Sequence, residues 1–211
     1  DATIVVYNQD ADTIGNNRLQ ITNPEGAKRD YKGLEITASK RFRNNWQGVA
    51  SLVWSEMAVT QSTLALGVLG TFDSPNGAIN ALGRDEANQT VQFKLQGTYM
   101  FDFGLGVSGL YRFRTGTPYT RELSVSGLNQ GTFNVRAEPR GSSTPDNVST
   151  LDLRFEQRFF APAQLGLIVD VFNLFNSNAS VDEGHITSFN YGETLSVLSP
   201  RVVRLGLRYT W

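Results

Sequence analysis

His185 stands beside Asp182 and Glu183, and one imidazole with two carboxylates is a donor set that can ligate a metal. It is the only histidine in the chain, however, and the polar residues around it read more simply as a solvated acidic loop. Asp152 and Glu156 lie four apart, a spacing at which two carboxylates on one strand face could divide acid and base work. Arg154 and Arg158 interleave with them, so a neutralised ladder of charges accounts for all four residues without catalysis. We find neither a nucleophile beside a base nor a glycine loop fit to cradle phosphate. The expectation is therefore a protein that is not an enzyme and needs no cofactor or metal.

Composition narrows the alternatives. Lys and Arg number 19 against 20 Asp and Glu, a net charge of −1, which gives no footprint for nucleic acid. Cysteine is absent, which excludes a disulfide scaffold and thiolate metal sites. Asp1 opens the chain without an initiator Met or a signal-like stretch, so a secretory signal is expected upstream or already removed. No apolar run approaches the ~18 to 20 residues of a membrane helix. That test does not reach a barrel strand, in which only every second residue faces lipid.

Alternation with period two is the dominant pattern, repeated in segments of about ten residues. In Val91–Phe101 the odd positions are Val91, Phe93, Leu95, Gly97, Tyr99 and Phe101, and Gln92, Lys94, Gln96 and Thr98 lie between them. Leu151–Phe159 and Val203–Trp211 alternate as clearly; Leu34–Phe42, Trp46–Ser55, Leu105–Arg114 and Leu165–Phe175 follow less cleanly. The run Ala2–Tyr7 reads as the end of a further strand, for about eight in all. Charge separates the faces. Lys40 alone falls on the apolar side, whereas Glu35, Arg41, Lys94, Arg112, Arg114 and Asp152 fall on the other. Arg154, Glu156, Arg158, Asp170, Arg204 and Arg208 join them there, making eight basic and four acidic residues, a net of +4.

The connections decide between a sandwich and a membrane wall. Arg43-Asn44-Asn45, Asp102-Phe103-Gly104 and Phe160–Ala163 are tight turns. Between them run long polar stretches, roughly residues 8–30, 58–88, 117–148 and 177–199, which carry an excess of acidic side chains. An up-and-down meander places all short turns at one end and all long loops at the other. That is the asymmetry of an outer-membrane barrel, with periplasmic turns and extracellular loops. Phe42, Trp46, Phe101, Phe103, Phe159, Phe160, Tyr209 and Trp211 cluster at the turn end, as a periplasmic aromatic girdle would. Tyr31, Trp54, Tyr111, Phe113 and Phe175 are candidates for the opposite belt.

Specific stretches carry a family resemblance. Tyr31-Lys-Gly-Leu-Glu-Ile-Thr37, Arg41-Phe-Arg-Asn-Asn-Trp46 and Leu52-Val-Trp-Ser55 resemble the C-terminal barrel of TonB-dependent receptors. So do Tyr111-Arg-Phe-Arg-Thr-Gly-Thr-Pro-Tyr119, Leu151-Asp-Leu-Arg154, Val169-Asp-Val-Phe-Asn-Leu-Phe-Asn176 and Leu198-Ser-Pro-Arg201. The pattern is most similar to the Oar-like subgroup, whose N-terminus is a carboxypeptidase-regulatory-like domain. Val203, Leu205, Leu207, Tyr209 and Trp211 resemble the C-terminal signal by which such barrels are recognised for assembly.

The resemblance implies an all-β, antiparallel, up-and-down transmembrane barrel segment within a barrel of about 22 strands. It implies a receptor that imports a scarce nutrient across the bacterial outer membrane, with long loops extracellular and the C-terminus periplasmic. The implied partners are outer-membrane lipid, the plug domain of the same protein, TonB through an N-terminal part outside this sequence, and the barrel-assembly machinery. In a bacterial protein the glycosylation-like triplets at Asn88, Asn147 and Asn178 are ordinary loop residues. Two other readings remain: a complete eight-stranded barrel with a structural or adhesion role, and a secreted β-sandwich binding module.

Overall fold

Asn44 and Asn45 both adopt positive φ, 53° and 66°, and join two strands through a two-residue turn. Such a turn twists in the sense that right-handed strands require, and asparagine tolerates the left-handed region. The next short connection does the same with Gly104 at φ 91°, its N–H donating to the Phe101 carbonyl at 3.0 Å. Hairpins of this kind build the molecule. The structure is a computed structural model that describes residues 3–16, 18, 28–61, 74–159, 164–188 and 190–210.

The strands are β1 (Lys28–Arg43), β2 (Trp46–Gln61), β3 (Gly83–Arg84), β4 (Val91–Met100), β5 (Leu105–Arg114) and β6 (Glu122–Val125). They continue as β7 (Phe133–Arg136), β8 (Val148–Phe159), β9 (Gln164–Phe172), β10 (Ser180–Glu183), β11 (Thr194–Val197) and β12 (Val202–Thr210). One antiparallel sheet runs β1-β2-β4-β5-β8-β9-β12, with β3 paired beside the outer end of β2. The pairs β6–β7 and β10–β11 are separate hairpins within the loops. The described residues include no α-helix, only two single 3₁₀ turns. The chain is thus all-β and antiparallel, in an up-and-down order.

Three expectations need correction. The expected strand end Ala2–Tyr7 is not strand from Thr3 onward, where it pairs with no strand among the described residues and is held by loop side chains. The Tyr7 N–H donates to Asn76 Oδ1 at 2.7 Å, and Asn76 Nδ2 donates back to the Tyr7 carbonyl at 2.8 Å. Seven long strands therefore form the wall, and the eighth member of its sheet is the two-residue β3. Secondly, the alternative of a complete eight-stranded barrel is not met: β1 and β12 each have one neighbour, so the sheet is open among the described residues. Thirdly, β1 and β2 each span 16 residues, well past the expected Leu34–Phe42 and Trp46–Ser55.

Among the described residues no layer covers the sheet. The buried apolar side chains are Val59, Val135 and Val148, all at the loop end. Leu34, Ile36, Leu95, Leu165, Leu167, Val203, Leu205 and Leu207 are exposed. A sandwich would interdigitate such residues with a second sheet.

Candidate functional site

Register puts like with like across the wall. Paired residues share a face, and the rows Leu34–Trp54–Val91, Ile36–Leu52–Phe93–Phe113 and Ala50–Leu95–Tyr111–Leu151 build the apolar one. The opposite face takes Glu35, Lys94, Arg112, Arg114, Asp152, Arg154, Glu156, Arg158, Asp170, Arg204 and Arg208. Arg41 falls where the β1–β2 register slips, between Lys40 and Arg43, so pairing does not fix its face.

On the polar face most of the charges bond between strands, and one pair, Arg158 with Glu156, bonds along β8. Asp170 is 3% exposed and is held from both sides. Arg154 Nε donates to its Oδ1 at 2.6 Å, and Arg204 Nη2 donates to Oδ2 at 2.6 Å. Glu156 Oε1 is held likewise, by Arg158 Nε at 3.0 Å and Arg208 Nη1 at 2.7 Å. Gly166 lies between Arg158 and Arg208 in their row, and the absent side chain leaves room for the Glu156–Arg208 contact. Lys94 and Arg112 sit directly opposite each other, an unfavourable like-charge pair, and Arg112 turns to Asp152 at 2.5 Å. Asp152, Glu156 and Asp170 thus each neutralise one arginine, and the face stays positive. Lys94 and Arg114 have no ion pair among the described residues. A trough of about 620 Å³ lies over Arg154, Asp170 and Arg204.

The aromatic cluster at the turn end is compact. Tyr99 and Phe101 meet edge to face at 4.7 Å between centroids, and Phe101 and Phe103 lie 5.4 Å apart. Phe42, Trp46, Phe159 and Tyr209 stand exposed at the same end. Phe160 and Trp211 lie outside the described residues. At the other end Trp54, Tyr111 and Phe113 share the apolar face, whereas Tyr31 pairs with Met57 on the polar face and leaves the expected belt. Val203, Leu205, Leu207 and Tyr209 alternate along the apolar side of β12, with Leu205 72% and Leu207 76% exposed.

The loops form a polar cap. Arg29 pairs with the buried carboxylate of Asp85, and Arg140 lies 3.9 Å from the same oxygen. Arg140 Nε also lies 3.5 Å from Glu86, which accepts from the Thr120 hydroxyl. Gly141 donates to Thr120 Oγ1 at 2.8 Å, and its φ of 65° brings the backbone against Arg84. His185 is exposed and contributes its carbonyl, which accepts from the Glu122 N–H at 2.8 Å. The two carboxylates beside it do not turn to the imidazole together. Glu183 accepts from the Tyr119 hydroxyl at 2.9 Å, and no group of three metal-ligating side chains occurs among the described residues.

The motif Val169–Asn176 supplies residues whose roles alternation did not reveal. Asn173 and Asn176 take positive φ, 49° and 53°, and end β9. Asn173 Nδ2 donates to the carbonyls of Ser177 and Ser199, both at 2.9 Å, and Asn176 Oδ1 accepts from the Arg201 N–H. The two asparagines tie the end of β9 to the start of β12. Asn88 and Asn147 are engaged in the same manner, with Ser55 and Gly116. Compared with known protein families, curated proteins and solved structures, the chain has no match.

Proposed function

We propose that this chain forms part of the wall of a bacterial outer-membrane barrel, of the kind found in TonB-dependent receptors, and serves nutrient import. The observation that carries the reading is a one-layer sheet with its apolar residues outward and uncovered and its ion-paired residues on the other face. In water that arrangement leaves apolar area unburied; against lipid the same face is satisfied. On β2 the apolar face runs in register from Trp46 through Gly48, Ala50 and Leu52 to Trp54. At ~3.3 Å per residue and a tilt of ~40° it stands about 20–25 Å tall, close to the height of an outer-membrane apolar band. Directly beyond it Lys32 and Glu56 face each other on the same side, as polar residues above a membrane boundary would.

Further strands between β12 and β1 would close the wall, and a wide lumen would keep the net positive face hydrated or set against an acidic plug. Substrate import by a TonB-driven cycle belongs to this proposal through the motifs quoted above. The test is made in the full-length protein by deleting Tyr209 to Trp211. We expect lower outer-membrane levels and periplasmic degradation. Unchanged surface levels would overturn the assembly role of this end, and recovery of the intact protein in the soluble fraction would overturn the membrane reading.

A further inference from the structure

Lys40, Gly48, Gly97 and Gly109 lie in one row across four strands on the apolar face. Trp46 and Tyr99 rise on the turn side of that row, and Leu95 and Tyr111 on the loop side. The walls and their glycine floor bound an apolar groove of about 770 Å³. That is within the ~300–1,000 Å³ range of sites that hold small ligands.

Lys40 is the second and independent observation. Its Nζ donates to the carbonyls of Arg43 at 2.7 Å and Trp46 at 3.0 Å, and sits 3.9 Å from the Trp46 ring centroid. All three contacts are with uncharged groups. Among the described residues no carboxylate reaches it within ion-pair distance. An ammonium has three donors, so one remains for a further acceptor. The side chain leans towards the turn end, where lysine stems and indole rings settle at headgroup level.

We propose that this groove holds one glycerophospholipid with a net negative headgroup, an acyl chain lying over the glycine floor and a phosphate oxygen taking the third Lys40 donor. The occupant is argued from charge: the ammonium lacks a counter-charge, and a zwitterionic headgroup would bring a competing cation of its own. The inference rests on the membrane reading above.

The test reconstitutes the full-length protein into mixed vesicles of phosphatidylcholine and phosphatidylglycerol, in which one lipid or the other carries brominated acyl chains that quench nearby indoles. Subtracting the signal of Trp46→Phe isolates Trp46, and Trp54→Phe isolates Trp54 as a control elsewhere on the apolar face. We expect Trp46 to favour the anionic lipid by about fivefold, the factor for one basic residue near an anionic surface. Lys40→Gln should abolish the preference, Lys40→Arg should keep it, and Ala50→Leu, which fills the groove, should reduce quenching of Trp46 by either lipid. Equal quenching of Trp46 by both lipids, or a preference that survives Lys40→Gln, would overturn the inference and leave the membrane reading standing. Quenching of Trp54 but not Trp46 would overturn it in favour of a second protein surface covering the groove. Quenching of neither residue by either lipid would overturn the membrane reading itself.

Discussion

In the wall, Leu205 and Leu207 are among the most exposed apolar residues, while Asp170, on the adjacent strand β9 and the opposite face, is almost sealed between arginines. In the cap, the sealed residues are again polar: Asn76, Asp85 and Thr120, with Val135 as an apolar exception. Both regions bury polar groups, yet for different reasons. The wall has no core and draws its order from ladder hydrogen bonds and cross-strand ion pairs. The cap folds on itself, through side chains that cross between loops far apart in sequence. Asn129 and Gln130 illustrate this by bonding to Gln9 and Tyr7. The difference is what the proposed membrane reading requires, in which the two regions answer to two solvents. Among the described residues no protein surface covers the apolar side of the wall, whereas the cap pairs most of its buried polar groups within itself, the Nε atoms of Arg136 and Arg140 excepted.

The largest effect should come from exchanging the solvents. Leu95→Arg places a cation on the apolar face near mid-strand and should cost about 2–4 kcal/mol in a liposome folding titration. Gln96→Arg, one residue on and facing the other way, should cost far less. Equal costs would break the distinction between faces on which the comparison depends.

A smaller effect should follow in the cap. Asp85→Asn leaves Arg29 and Arg140 without their shared carboxylate, while the amide oxygen can still accept from the Ala87 N–H. Charged hydrogen bonds are worth about 1.5–3 kcal/mol when enclosed, and Arg29 is partly open to solvent, so a loss of about 1–2 kcal/mol is expected. Hydrogen exchange should quicken in residues 80–90 and 136–142 and stay unchanged in β8, β9 and β12. Faster exchange in those strands as well would show that wall and cap unfold as one unit.

Alternation exposed the wall because only one property had to be read, the face of every second residue. β5 has the expected ends, Leu105 and Arg114, and β4 stops one residue short of Phe101. β1 and β2 outran their expected length because Lys32, Glu56 and neighbouring polar residues break the hydrophobic period while the backbone ladder continues. Thr3–Tyr7 alternates but pairs with no strand among the described residues, which sequence cannot show. The hairpins β6–β7 and β10–β11 have four-residue strands, too short for a period to emerge from polar surroundings. The eight-plus-four charge list was legible, and so was the Arg158–Glu156 pair along β8, but the cross-strand partners were not. Arg154 was expected to interleave with Asp152 and Glu156 along β8, and it bonds instead to Asp170 in β9. Cross-strand neighbours depend on register, which no local spacing fixes.

The smallest effect concerns the joint between two parts of the cap, and it appears only at high pH. The half-buried Tyr119 precedes β6, and its hydroxyl reaches Glu183 at the end of β10. Burial first, and then the bond to the Glu183 carboxylate, push its pKa up from 10.0 to about 12. Both causes favour the protonated phenol: an enclosed phenolate loses hydration, and it would face a carboxylate with no proton between them. Because the folded pKa lies above the unfolded one, the stabilisation is fully present below pH 10 and is lost as pH rises towards 12. Glu183→Gln should lower the Tyr119 pKa without returning it to 10, since burial remains. At neutral pH the amide oxygen still accepts, so the cost there should be under about 1 kcal/mol. The phenolate absorbance of the protein, less that of Tyr119→Phe, follows this single group. An unperturbed titration would mean that β10–β11 stands clear of the loop after β5 in solution. The cap would then be two independent pieces, and its internal satisfaction would no longer set it apart from the wall.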